Sequence, residues 1–370
     1  MATMTAAVYH GPRDVRIETV EVPAPGPGEL LVRVGTVGVC GTDAAEWSSG
    51  PHLHPLHTTH PATGHVGPTI PGHEFSGTVE AVGAGVASGW LGTLVASTGS
   101  VSCGTCPACG RGESNQCDSY AGVGLHRHGA LAEFVVTPAY SCVDAGSHGL
   151  GADEAALCQP MAIAVHAARR AGQLPRGSAV VVQGVGGVGV FLVFALVRAG
   201  LEVIATDVDE ARLELARAMG ATLVRNVGAG GEGPLPPALL READVRAFFE
   251  VSGSEAGLAT ALESAPRGCR IVLLGIQKHR SSVDLARLTL HEQTLVGTNA
   301  LAYEADLPRA AGLIAEGQGL WARVAPTVVP LSRLVEDALA PLAAGHAAAV
   351  KTLVAPHDAI ARPFSASRSV

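Results

Sequence analysis

The apolar and polar positions of this chain follow two different rhythms. From residue 1 to about 150, short apolar runs such as "ELLVRVGTVGV" (29–39) and "HEFSGTVEAVG" (73–83) are separated by breaks rich in Gly, Pro and Thr. Runs of that length between turn residues predict a β-rich domain. From about 151 to 300 the pattern becomes strand-length apolar runs alternating with helical periodicity: "SAVVVQG" with a helix after it, "EVIATD" before "DEARLELARAMGA", then "VRAFFEV" and "CRIVLLGI". Alternation of this kind predicts an α/β fold built on a parallel sheet. After 300, helical "DLPRAAGLIAEG" and strand-like "AAVKTLVA" (348–355) are expected to pack back onto the first domain. The polar tail "HDAIARPFSASRSV" is expected to be loose.

Length supports the division. At 370 residues the chain exceeds the roughly 250 to 300 at which a single core stops growing, and its 47 % apolar content can fill two. A formal charge of -8 lacks the basic excess that nucleic acid requires, so no nucleic-acid partner is expected. The N-terminus "MATMTAAVYHGPRDVRIE" shows no secretory pattern, and a reducing, cytoplasmic setting is expected. The run at 179–197 is nearly uncharged and about long enough to span a bilayer. Its four glycines within six residues point instead to a buried strand, a turn and a helix, so no membrane association is expected.

Candidate chemistry sits in three places. Cys103, Cys106, Cys109 and Cys117 follow C-x2-C-x2-C-x7-C, loops short enough for four thiolates to converge on one zinc. A disulfide framework does not suit a reducing compartment, and iron–sulfur spacings usually differ. With all four positions filled by sulfur, such a zinc is structural. Cys40, His73 and Glu74 supply a sulfur, an imidazole and a carboxylate, enough for a catalytic zinc with an open position. Singly, each has a plainer reading as a core cysteine or a surface pair. Finally, "VVVQGVGGVG" (180–189) runs a strand into G-x-G-G-x-G. Gly184 would make the turn, Gly186 would admit a pyrophosphate, and Gly189 would allow close helix packing. Asp207 ends the next strand, where a carboxylate binds the adenosine ribose and disfavours a 2'-phosphate, hence NAD over NADP. Its alternative is helix capping, for which Asp209 is better placed. His52, His54, His57, His60 and His65 precede His73 and read as a solvated surface loop rather than a metal site.

"GVCGTD", "PGHEFSGTVEAVG", the four-cysteine loop, "GVGGVG" and "EQTLVGTNA" occur in the order and spacing of the zinc-dependent medium-chain dehydrogenase/reductase family. The chain resembles that family up to about residue 355, and its 50–77 loop looks most like the butanediol and sorbitol dehydrogenase branch. The resemblance implies a GroES-like catalytic domain over 1–150 with both zinc sites, a Rossmann NAD-binding domain over 151–300, and a 301–370 segment returning to the first. It assigns Cys40, His73 and Glu74 to a catalytic zinc, with Gln159 a further ligand where relatives of that branch carry Glu. Cys158 is the alternative if the backbone shifts by one residue. Thr42 would start a proton relay, and Asp43 would orient His73. Many relatives continue the relay with a histidine where this chain has Ala45, leaving the cofactor ribose, Glu46 or water as the proton's exit. Gly187, Val188, Arg212, Leu274 and Ile276 would line the cofactor. Two zinc ions per chain, NAD, an alcohol or ketone substrate and a homodimer or homotetramer are expected. A specialised biosynthetic alcohol dehydrogenase, a zinc-free reductase of the same fold and a non-catalytic zinc and nucleotide binder are the rival readings.

Overall fold

The computed structural model describes residues 1–366. They form two compact units, Met1–Ala162 with the described residues from Leu301 onward, and Ile163–Ala300. In the first, β1 (Thr3–Gly11) and β2 (Asp14–Glu21) make an antiparallel hairpin. Then come β3 (Glu29–Gly38), α1 (Gly41–Ser49), β4 (Glu74–Val82), β5 (Leu94–Ser97), β6 (Ser100–Val101), α2 (Pro107–Gly110), β7 (Ala121–Gly122), β8 (Phe134–Pro138), β9 (Cys142–Asp144) and α3 (Ala152–Ala156). The chain leaves this unit within α4 (Cys158–Arg170).

The second unit contains β10 (Ala179–Gln183), α5 (Gly189–Arg198), β11 (Glu202–Asp207), α6 (Glu210–Ala218), β12 (Leu223–Asn226), α7 (Pro237–Glu242), β13 (Val245–Glu250), α8 (Glu255–Ser264), β14 (Arg270–Leu273), α9 (Leu285–Leu290) and β15 (Thr294–Gly297). The chain then returns through α10 (Tyr303–Glu316), α11 (Trp321–Val324), β16 (Thr327–Pro330), α12 (Ala340–Ala343), β17 (Leu353–Ala355) and β18 (Arg362–Pro363).

The second unit's sheet is parallel throughout, ordered β12-β11-β10-β13-β14-β15. Central β10 is buried at all five positions, as a strand covered by helices on both faces must be. The bilayer-length run therefore divides into β10, a glycine turn and α5, and no helix among the described residues is long and apolar enough to cross a membrane. The first unit's main sheet runs β18-β16-β17-β3-β4-β5-β9, with β8 also on β3. Its core gathers Val32, Val34 and Val37 of β3 with Phe75, Leu131 and Val354.

The tail is more ordered than its polar composition suggested. Arg362 grips Asp153 through two hydrogen bonds of 2.6 and 2.9 Å, and Ser365 N–H donates to the same carboxylate. A partner fixed by tertiary contact overrides the local preference for disorder. Positions 367–370 of that tail lie outside the described residues. Replacing Arg362 with Ala strands the buried Asp153 and is expected to cost about 1–3 kcal/mol, allowing for partial exposure of the guanidinium. The urea midpoint reports it, and an unchanged midpoint would show that the tail contributes nothing to the fold.

Candidate active site

The register of β3 on β4 sets Gly38 opposite Glu74. Cys40 follows two residues after one strand end and His73 precedes the other, so the pair of strands delivers both to one place. Only a glycine fits at 38: a Cβ there would lie 2.4 Å from Glu74 Oε2. One ligand atom from each of Cys40, His73 and Glu74 falls within 4.8 Å of the others. Helix α1 adds Asp43, whose Oδ2 accepts from Cys40 N–H at 2.9 Å while Oδ1 faces His73 Nδ1 at 3.6 Å. Burial alone would lower the His73 pKa, yet Asp43 and Cys40 hold it well above its ordinary value. Positive charge is thus favoured among these donors, which suits a dication on a sulfur, nitrogen and oxygen set. Thr42 Oγ1 sits 3.7 Å from Cys40 Sγ.

Sequence reasoning missed Lys351. Its ammonium donates to Glu74 Oε1 at 2.9 Å and Oε2 at 2.7 Å, and lies 3.4 Å from Val39 O, with both charged side chains only 2 % exposed. Burial opposes the charge on Lys351, but Glu74 and Cys40 raise its pKa above the usual lysine range. The signal was present as a lone cation in the apolar run "AAAVKTLVA". Its partner was not.

Other expectations are redirected. Glu46, read as a proton exit, is buried on α1 and its carboxylate accepts the backbone N–H of His52 and Leu53. It anchors the start of the histidine loop. That loop is not uniformly solvated either: His54 is 4 % exposed, donates Nδ1–H to Leu125 O at 3.0 Å and packs its ring, tilted by 43°, against Tyr9. His60 and His65 pack on the rings of His126 and His128. Partners from 125–128 bury His54 and half-bury His60 and His65, while His52 and His57 are exposed as the composition suggested. Gln159 is buried in the first turn of α4. Cys158 does not join the Cys40 group; full burial pushes its thiol pKa up.

Cys103, Cys106, Cys109 and Cys117 converge as their spacing predicted, with all four sulfurs within 4.8 Å and two Sγ pairs at 3.5 Å. A tetrahedron with bonds of about 2.3 Å has edges near 3.8 Å, so one zinc fits. Backbone N–H groups of Cys103, Cys106 and Ser119 point at these sulfurs. Such donors, with Thr105 first among them, bring the Cys103 thiol down to about 6. No disulfide forms among the cysteines.

In the second unit, Gly184 turns the chain at φ +96° after β10. A Cβ on Gly189 would strike Gly184 O at 2.0 Å, whereas one on Gly186 would project into space reached only by Arg212 at 4.0 Å. The first closure packs the α5 N-terminus, which begins after Val188; the second leaves a cradle for a diphosphate beside it. Asp207 accepts from Val185, Val208 and Asp209 N–H, and Arg212 Nη1 stands 3.9 Å from its Oδ1. Asp209 is the cap of α6. Gly187 lies within the same turn; Leu274 follows β14, and Ile276 is 85 % exposed beyond it. Glu250, also unread from sequence, ends β13 fully buried.

Two family models match the chain: the alcohol dehydrogenase GroES-like domain over 26–147 and the zinc-binding dehydrogenase over 187–316. An L-threonine 3-dehydrogenase of Saccharopolyspora erythraea is 33 % identical over 289 residues, covering 76 % of this chain and 80 % of the relative. A sorbitol dehydrogenase of Bacillus subtilis is 32 % identical over 275 residues, covering 74 % and 75 %. The crystal structure of 2R,3R-butanediol dehydrogenase from Bacillus subtilis superimposes with TM-score 0.85 at 27 % identity, over 96 % of this chain and 100 % of that one.

Replacing Lys351 with Met leaves the Glu74 carboxylate buried and unpaired, at an expected cost of about 3–5 kcal/mol. Adding Glu74→Gln is expected to recover most of the loss in urea denaturation. A single variant as stable as the parent would mean that the ion pair does not hold Glu74.

Proposed function

The chain belongs to the zinc-dependent medium-chain alcohol dehydrogenase family, and from that premise we propose that it transfers a hydride between NAD and a secondary alcohol, vicinal diol or polyol, reducing the ketone in reverse. The observation that carries this reading is the convergence of Cys40, His73 and Glu74 on one point. A reductase working without zinc has no use for that set. When bound, zinc supplies a Lewis acid for an alcohol or carbonyl oxygen, and NAD supplies the hydride acceptor.

The chain's own residues divide the remaining work. Cys40 and His73 are the ligands held ready, with Asp43 fixing the imidazole's orientation. Glu74 becomes the third donor to the extent that Lys351 releases one of its oxygens. Gln159 stands as a neutral neighbour where a carboxylate would weaken the ion's electrophilicity. Thr42 hands on the substrate's proton, and with exposed Ala45 in place of an imidazole, water or the cofactor ribose receives it. On the second unit Gly184, Gly186, Gly187, Val188 and Gly189 hold the diphosphate, Asp207 and Arg212 the adenosine, and Leu274 and Ile276 the nicotinamide side. Edge strand β15, with Leu285, Leu290 and Leu295 exposed around it, supports an edge-to-edge homodimer.

NAD reduction across a panel of diols and polyols tests the reading directly. Zinc-loaded protein that binds NAD but turns over none of them would instead be a zinc and nucleotide binder.

Elemental analysis is expected to find two zinc ions per chain. Cys103→Ser should lose one ion and much of the fold's stability. Cys40→Ser should lose the other ion and all turnover while remaining folded. One ion at most in active protein would overturn the assignment.

NADP is expected to serve poorly, because its 2'-phosphate would face the Asp207 carboxylate. Asp207→Ala should narrow the ratio of kcat/KM between NAD and NADP. Equal use of both by the parent protein would count against this role.

A further inference from the structure

Strand order in the second unit reverses between β10 and β13, the point at which a dinucleotide crosses the carboxyl edge of a doubly wound sheet. The glycine turn follows β10 and Asp207 ends β11, so the adenosine half belongs to that side and the nicotinamide half to the ends of β13 and β14. At that end lies Glu250. Its Oε1 accepts from Ser252 N at 2.9 Å, Gly253 N at 3.1 Å and Ser252 Oγ, and its Oε2 from Gln277 Nε2 at 3.0 Å. Its backbone carbonyl receives Leu274 N–H and Gly275 N–H. Glycines crowd the carboxylate: a Cβ on Gly275 would lie 2.8 Å from Oε2 and one on Gly257 3.0 Å from Oε1.

Two features set this carboxylate apart from a loop staple. No lysine, arginine or histidine among the described residues lies within ion-pair distance of it, although it is fully buried. Every group hydrogen-bonded to its oxygens is a donor, which is the pattern an ionised carboxylate requires. Burial keeps its pKa above the ordinary carboxylate value, with Ser252, Gly253 and Gln277 opposing that rise. The donor set thus holds a carboxylate with no neighbouring cation at the sheet end assigned to the nicotinamide. The oxidised ring is a cation and the reduced ring is neutral, so the charge acts on the two forms unequally.

We propose that Glu250 is a positioning residue that holds the Leu274–Gln277 loop and biases the cofactor site toward the oxidised nicotinamide. The inference rests on the NAD reading above.

The test measures dissociation constants of NAD+, NADH and ADP-ribose for the full chain by calorimetry and NADH fluorescence. In Glu250→Gln, which keeps the shape and removes the charge, NAD+ is expected to bind about five- to tenfold more weakly. NADH should change less than twofold, and ADP-ribose, which lacks the nicotinamide, should not change. Gln277→Lys, which sets a cation against the carboxylate from a partly exposed position, should move the NAD+ to NADH ratio the same way and serves if Glu250→Gln does not fold. A purely structural role would weaken both forms equally. Equal weakening, or an unchanged ratio in the folded variants, overturns the inference. Failure of the parent chain to bind ADP-ribose would overturn the cofactor reading itself.

Discussion

A carboxylate almost without solvent must be held charged by a cation or by a full set of hydrogen-bond donors, and Glu74 finds its cation 277 positions away in Lys351. That pairing ties the return of the chain after the second unit to the strand carrying the metal donors. β17 pairs with β3 at Leu353 and Gly38, the same glycine that stands opposite Glu74. The last segment of the first unit and the donor set therefore depend on one register. The buried lysine engages both oxygens of the same carboxylate that converges with Cys40 and His73.

The second unit uses carboxylates differently. Asp207 and Glu250 each end a parallel strand, and each accepts N–H groups from the backbone just beyond it. Strand ends in a parallel sheet leave such groups to be satisfied, and an acidic side chain at the last position both satisfies them and fixes the following turn. Arg212 stands near the first carboxylate, whereas the second has no cation within ion-pair distance among the described residues. The two strand ends thus differ in charge although they are built by the same device.

The family is shared with threonine, sorbitol and butanediol dehydrogenases. Ala45 leaves the outer face of α1 without a titratable group. Two turns of the same helix hold Asp43 and Glu46 buried, one toward His73 and the other toward the backbone of the histidine loop. Charge has been kept on the inner face of α1, where it orients, and is missing on the outer face, where it would exchange protons with water.

Contiguous stretches were enough for what depends on local spacing. The four cysteines and the glycine turn each lie within fifteen residues, so loop length and glycine's freedom alone dictate how they close. The alternating strands and helices were legible for the same reason, because periodicity reports which face is buried. Tertiary structure decided what needs two distant segments at once. It buried His54 against Tyr9 and Leu125, set the Glu46 carboxylate on the backbone of the histidine loop, and brought Asp153 to the tail. It also gave Glu74 its lysine and left Glu250 with none within ion-pair distance among the described residues. An isolated charge in an apolar run tells that it must be compensated; which residue does so is set by strand register across the fold, and the linear sequence carries no local record of it.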